Sequence, residues 1–204
     1  MLRLKDFRLF THQKIVASTN ELVFNQNCFN YIQGGSSAGK SLILNTFAGK
    51  YNNYSGEITL FGQELQTFHK QGSVIYIDYD LPVIPKKNFI ENVQLPFKKF
   101  TEDMRIQMIE YSSMLGMVDI MRNQMEYSSR AEKMLMYLIR VALLNPKLLL
   151  IDDIDCFFDE ETFKKVYGLF VKCIKNGMML ITSGKATIQN IPSYTLRQGE
   201  LLKS

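Results

Sequence analysis

Eight consecutive residues, Gly34-Gly35-Ser36-Ser37-Ala38-Gly39-Lys40-Ser41, carry the types and spacing needed to hold a polyphosphate. They fit G-x-x-x-x-G-K-[ST], and each fixed position has a reason. Glycine lets a backbone approach an anion closely and adopt dihedrals that a Cβ forbids. Loop amides and the positive end of a following helix attract negative charge. Lys40 is placed to lie across the β- and γ-phosphates, and the Ser41 hydroxyl to ligate Mg²⁺. An apolar run (Cys28, Phe29, Tyr31, Ile32) precedes the loop, and an apolar-periodic one (Leu42, Ile43, Leu44, Phe47) follows it. Strand, glycine loop and helix form the context in which such a motif binds a nucleoside triphosphate.

The second landmark is Leu148-Leu149-Leu150-Ile151 followed by Asp152-Asp153. Four aliphatics predict a buried parallel strand. Carboxylates at its end emerge at the carboxyl edge of the sheet, where ligands of open α/β sheets bind. Asp152 is thus a candidate holder of Mg²⁺. As a helix cap it competes poorly with Asp159, which directly precedes Glu160 and Glu161.

Other elements must position these two features. Leu2 to Phe29 reads as short strands, with Ile15-Val16 and Leu22-Val23-Phe24 separated by a polar turn at Ser18-Thr19-Asn20. The helix after the loop is expected to reach about Tyr51. Ser55 to Gly62 reads as turn, strand and turn, and Val74-Ile75-Tyr76-Ile77 as a buried parallel strand. From Thr101, with Glu102 and Asp103 in the first turn, Ile106, Ile109, Met114, Leu115 and Met117 predict the core stripe of a helix. Met104, Met108, Met121 and Met125 read as helical core packing. A second helix spans Arg130 to Leu144 and ends at Pro146. A last core strand, Met178 to Ile181, precedes short strands between Ser193 and Leu202.

The 204 residues suit one domain able to bury a full core. With 46% hydrophobic and 22% charged residues, composition is that of a soluble globular protein, and no run is long enough to span a bilayer. Charge alternates with aliphatics through Met1 to Asp6, unlike a secretory signal. Cys28, Cys156 and Cys173 are odd in number and lie in apolar runs, so buried reduced thiols are expected. The net charge of +4 is spread along the chain rather than clustered, which argues against nucleic acid as a partner.

Taken in order, these residues resemble an ABC transporter ATPase subunit over essentially the whole chain. Gly34 to Ser41 looks like its Walker A, and Asn145 to Asp152 like its Walker B lead-in. Arg140 matches an arginine of the intervening helix, and Asp159 the D-loop aspartate. Leu81 to Pro85, followed by Glu91 to Pro96, resembles the narrower FtsE/LolD/MacB group, FtsE most closely. The fold implied is α/β: a RecA-like core sheet with an antiparallel β lobe (about 1–75 and 145–204) and a small helical subdomain (about 90–140). The cofactors implied are ATP and Mg²⁺. The nucleotide contacts are Gly34, Gly35, Ser36, Ser37, Ala38, Gly39, Lys40 and Ser41, with Phe10 as a candidate aromatic beneath the adenine. Ser41 and Asp152 are the implied metal ligands.

Departures from the family pattern concern hydrolysis. Where the signature reads L-S-G-G-Q/E, this chain has Ser128-Ser129-Arg130-Ala131-Glu132, so both glycines are gone. The resemblance sets this segment, Ser129 and Arg130 included, against the γ-phosphate of a homodimer mate, where Arg130 offers an arginine finger. The Q-loop glutamine position falls on Ile77, and the catalytic glutamate is replaced by the shorter Asp153. Thr182-Ser183-Gly184-Lys185 stands where the switch histidine is expected, with Lys185 the cation nearby. The resemblance therefore implies a nucleotide-switched subunit with weak or absent hydrolysis. It would be cytoplasmic, on the inner face of the plasma membrane, touching the membrane only through an FtsX-like permease in cell division. Two alternatives stay open: an active LolD/MacB-like transport ATPase, and a scaffold that binds no nucleotide.

Overall fold

The computed structural model describes residues 1–204 apart from Gln13, 186–190 and Ser204. In chain order the elements begin with β1 (Leu2–Thr11), β2 (Lys14–Phe24), β3 (Phe29–Gln33), α1 (Lys40–Phe47), β4 (Tyr54–Leu60), β5 (Gln63–Glu64), α2 (Leu65–Lys70) and β6 (Val74–Ile77). Then come α3 (Phe89–Gln94), α4 (Glu102–Met114), α5 (Arg130–Leu144), β7 (Leu148–Ile151), α6 (Glu160–Lys175), β8 (Met179–Gly184), β9 (Ser193–Arg197) and β10 (Glu200–Lys203). The class is α/β, as expected.

The described strands join one ten-stranded sheet in the order β5-β4-β1-β2-β10-β9-β3-β8-β7-β6. One side is antiparallel, through β5, β4, β1 and β2. The other holds β9, β3, β8, β7 and β6 in parallel. β10 links the halves: it is antiparallel to β9 and meets β2 through the Ser18–Glu200 pair. There the Ser18 hydroxyl also donates to the Gly199 carbonyl at 3.0 Å.

Two compact units emerge. The first comprises Met1–Asp78, Pro146–Cys156 and Ile174–Ser204; it contains the whole sheet, α1 and α2. Its core is aromatic around Phe47, whose ring lies 6.5 Å from that of Phe7 and 5.7 Å from that of Phe24. Phe24 in turn packs on Tyr194 at 4.3 Å. Phe47 closes α1, so this contact fixes the helix that the glycine loop opens.

The second unit comprises Tyr79–Asn145 and Phe157–Cys173. Its segment between Leu81 and Pro96 is held by two buried polar side chains. The Asn92 amide accepts from the Ile84 amide at 2.8 Å and donates to the carbonyls of Ile84, Lys87 and Asn88. Arg140, on α5, donates Nε to the Asn92 carbonyl and Nη1 to the Pro82 carbonyl, each at 2.9 Å. Burial pushes the Arg140 guanidinium pKa down.

Several sequence expectations need correction. Ser18-Thr19-Asn20 lies inside β2 and makes no turn, because Ser18 and Thr19 pair with β1 and Ser18 also with β10. Ser55 and Gly56 belong to β4 and face a register shift of β1 between Lys5 and Arg8. β6 is parallel but forms the sheet edge, so Val74 to Tyr76 are only half-buried. α1 stops at Phe47, short of Tyr51. In α4 the Thr101 cap holds, but Ile106, Ile109 and Met114 are 57%, 47% and 36% exposed; Met108 and Leu115 are buried as expected, and Tyr111 is buried with them. Those three, at i, i+3 and i+7, share one helical face. Cys173 is buried as expected, Cys28 is half-buried and Cys156 is exposed.

Removing the Phe47 ring should therefore loosen the helix beneath the loop. Phe47→Ala is expected to cost about 3–5 kcal/mol of folding stability, measured by urea unfolding against the parent chain.

Candidate functional site

The loop between β3 and α1 is shaped by contacts that exclude other residues. A Cβ on Gly39 would sit 2.3 Å from Val16 Cγ1, and the residue adopts φ +108°, so only glycine fits. Ser37 is also left-handed, with φ 61°. Lys40 opens α1 directly after Gly39 and is 5% exposed. Its ammonium donates to the carbonyls of Gly34 at 3.0 Å and Gly35 at 3.1 Å. The nearest described carboxylate oxygen, Asp153 Oδ1, lies 4.0 Å away, at the limit of an ion pair.

Parallel pairing brings the acidic strand tip to the same edge. β3 pairs with β8 through Gln33 and Gly184, and β8 with β7 through Thr182 and Ile151. Asp152 and Asp153 follow at once. Ser183 organises both: its hydroxyl donates to Asp152 Oδ1 at 2.5 Å and accepts from the Asp153 amide at 3.0 Å. Tyr76 donates its hydroxyl to Asp152 Oδ2 at 3.4 Å. Asp153 Oδ1 is buried without a hydrogen-bond partner among the described residues. Burial first, then the neighbouring Asp152 charge, raises the Asp153 pKa above its ordinary value, with Lys40 opposing.

A cleft of about 400 Å³ opens between these parts, lined by Ser36 to Leu42, Asn45, Asp153 and Lys185. Beside it a larger cleft of about 820 Å³ is lined by Thr11, His12, Lys14 and Val16 together with Ser37, Gly39 and Leu42. Among the described residues, an ammonium hydrogen-bonded by carbonyls alone, facing a carboxylate oxygen without a donor, fits an anion accompanied by a cation. A magnesium polyphosphate meets that description.

The sequence-derived residues divide as follows. Ser36, Ser37, Ala38, Gly39, Lys40, Ser41 and Asp153 line the smaller cleft, and Gly34 and Gly35 hold the Lys40 ammonium. Asp152 is not among the residues lining that cleft; its carboxylate accepts from Ser183 and Tyr76. Phe10 is not among the lining residues of either cleft; its carbonyl accepts from the Tyr51 hydroxyl at 2.5 Å. Ile77 lies within β6, where its carbonyl accepts from the Asp152 amide at 2.9 Å.

Comparison with known proteins decides the family: the ABC transporter family model matches residues 20–155. The chain belongs to the ABC transporter family. ABC transporter G family member 20 of Dictyostelium discoideum is 26% identical over 97% of this chain but only 28% of its own length. The methionine import ATP-binding protein MetN of Campylobacter jejuni is 24% identical over 84% of this chain and 59% of its own. The chain thus spans about a quarter to three-fifths of these two relatives. A solved structure, a putative ABC transporter (ATP-binding protein) from Pyrococcus furiosus, superimposes with a TM-score of 0.83 at 16% identity over 96% of each chain.

In this ABC transporter chain the Ser128–Glu132 segment belongs to the second unit. Ser129 caps α5, accepting from the Glu132 amide while Glu132 accepts from the Ser129 amide. Arg130 stacks within its own chain, its guanidinium carbon 3.2 Å from the Tyr79 ring centroid and 4.7 Å from that of Phe157. Sequence reasoning passed over Tyr79, Tyr76 and Ser183, because their partners lie between 30 and 76 residues away. Only Ser183, next to the glycine at 184, carried a local hint.

Because the folded state raises the Asp153 pKa, it binds that proton more tightly than the unfolded chain does. Stability therefore falls as pH rises from the ordinary value of 3.8 through the raised one, and the ionised form carries the cost at neutral pH. Asp153→Asn should melt at a higher temperature than the parent chain at about pH 7, the gap closing towards about pH 4. Thermal unfolding at both pH values checks this; a lower melting temperature at neutral pH contradicts it.

Proposed function

We propose that this chain is the ATP-binding subunit of a membrane transport complex, taking ATP with Mg²⁺ in the cleft of the glycine loop. One observation carries the reading: the buried Lys40 ammonium has two carbonyls and no full counter-charge in a cleft lined by loop residues. A triphosphate supplies that charge. Ser41 and Asp152 are the residues that would hold the metal, whose chemistry is to neutralise phosphate charge. Asp153 lines the cleft and would accept the proton of an attacking water, a role its raised basicity suits.

The subunit would work as a homodimer on the inner face of the plasma membrane, reaching the membrane through a permease. Among the described residues no helix is long and apolar enough to cross a membrane. Ser129 and Arg130 are the segment proposed to face the dimer mate. With the guanidinium stacked on Tyr79 and Phe157, Arg130 would shape that segment more than reach across as a finger.

Two finer readings differ in turnover. The missing signature glycines and histidine favour a slow, nucleotide-switched subunit of the FtsE kind beside an FtsX-like permease in cell division. The likeness to MetN favours an import ATPase. Steady-state hydrolysis with the permease present separates them: the switch reading expects turnover far below the ~10 s⁻¹ typical of enzymes, and the import reading expects a rate of that order.

The shared claim is tested by equilibrium binding of a fluorescent ATP analogue with Mg²⁺. Lys40→Ala should weaken binding by about tenfold or more. A parent chain that binds nothing overturns the reading in favour of a scaffold.

A further inference from the structure

Tyr31, in the middle of β3, is fully buried, yet its hydroxyl has no hydrogen-bond partner among the described residues. Buried polar groups are rarely left this way without a role. The hydroxyl also explains a glycine at the cleft edge. A Cβ on Gly184 would meet Tyr31 Oη at 2.1 Å and Asp155 Oδ1 at 2.7 Å, so both oxygens converge on the space where a side chain would start. The other oxygen of Asp155, Oδ2, accepts from the Lys185 amide at 2.8 Å. Lys185 in turn lines the phosphate cleft opposite the loop.

These contacts form a chain from a buried phenol to a cleft cation. We propose that Tyr31 is a positioning residue of the cleft: its hydroxyl donates to Asp155 when an anion is bound, and Asp155 steadies the backbone that presents the Lys185 ammonium. The inference rests on the nucleotide reading above and adds to it the part of the ligand that Lys185 meets. Lys185 and Asp153 line only the smaller cleft, whereas the larger one, roomy enough for a base, flanks the loop at Ser37 and Gly39. Lys185 therefore meets the phosphate farthest from the base. The brace serves discrimination between tri- and diphosphate. Phenol ionisation plays no part, because burial and the Asp155 and Asp153 charges push the Tyr31 pKa upward.

The test uses the whole chain with Mg²⁺, measuring affinity for ATP and for ADP alongside the melting temperature. Tyr31→Phe, which removes one oxygen, should weaken ATP by about fivefold with ADP unchanged. The melting temperature should not fall, because the lost hydroxyl had no partner. Lys185→Ala should give the same ATP-selective loss, and adding Tyr31→Phe to it should cost nothing more. An unchanged ATP-to-ADP ratio in Tyr31→Phe overturns the inference, as does a further loss in the Lys185→Ala background. So does a uniform weakening of both nucleotides with a lower melting temperature, which marks a merely structural role. A parent chain that binds neither nucleotide overturns both this inference and the reading beneath it.

Discussion

The structure turns on an ammonium group taken out of water without a full counter-charge. Lys40 is 5% exposed, its ammonium rests on two carbonyl oxygens, and its nearest described carboxylate is 4.0 Å off. Carbonyl dipoles replace part of the lost hydration, but incomplete pairing of a buried charge remains costly. The rest of the first unit keeps that arrangement from relaxing. Gly39 is pressed against Val16, so the loop cannot swing outward on that side. Phe47 anchors the far end of α1 among Phe7 and Phe24, so the helix cannot withdraw the lysine. An anion entering the cleft meets a charge already in place.

The sheet supplies the opposing wall by register. β3, β8 and β7 run in parallel, so the loop, Gly184-Lys185 and Asp152-Asp153 leave the sheet at one edge. Ser183 locks the two aspartates into different environments. Asp152 is hydrogen-bonded by two hydroxyls, while Asp153 turns into the cleft with a left-handed backbone and an unpartnered oxygen. Two adjacent carboxylates thereby acquire distinct chemistry. One is held as a fixed acceptor, and the other is made more basic.

Much of this was legible in the chain itself. The glycine loop and the aliphatic strand with its acidic end declare themselves through local composition, and the capping residues Thr101 and Asp159 both cap as read. What stayed hidden depends on distant partners. Ser18-Thr19-Asn20 has turn chemistry, yet pairing of Ser18 and Thr19 with β1, and of Ser18 with β10, holds it extended. The exposed isoleucines of α4 drew attention from Tyr111, which lies one turn from the buried Met108. Tyr31 reads as an ordinary core aromatic until β3 and β8 pair and set its hydroxyl against Gly184. Arg130 reads as a finger for a dimer mate until Tyr79, 72% exposed, provides it a platform within its own chain.

The central claim, an ammonium held ready for phosphate, is tested most directly by a crystal structure of the chain grown with ATP and Mg²⁺. The account predicts phosphates against Gly34 to Ser41, with the Lys40 ammonium moved from the Gly34 and Gly35 carbonyls onto phosphate oxygen. Phosphates bound elsewhere, or a lysine still resting on those carbonyls beside an occupied cleft, would contradict it.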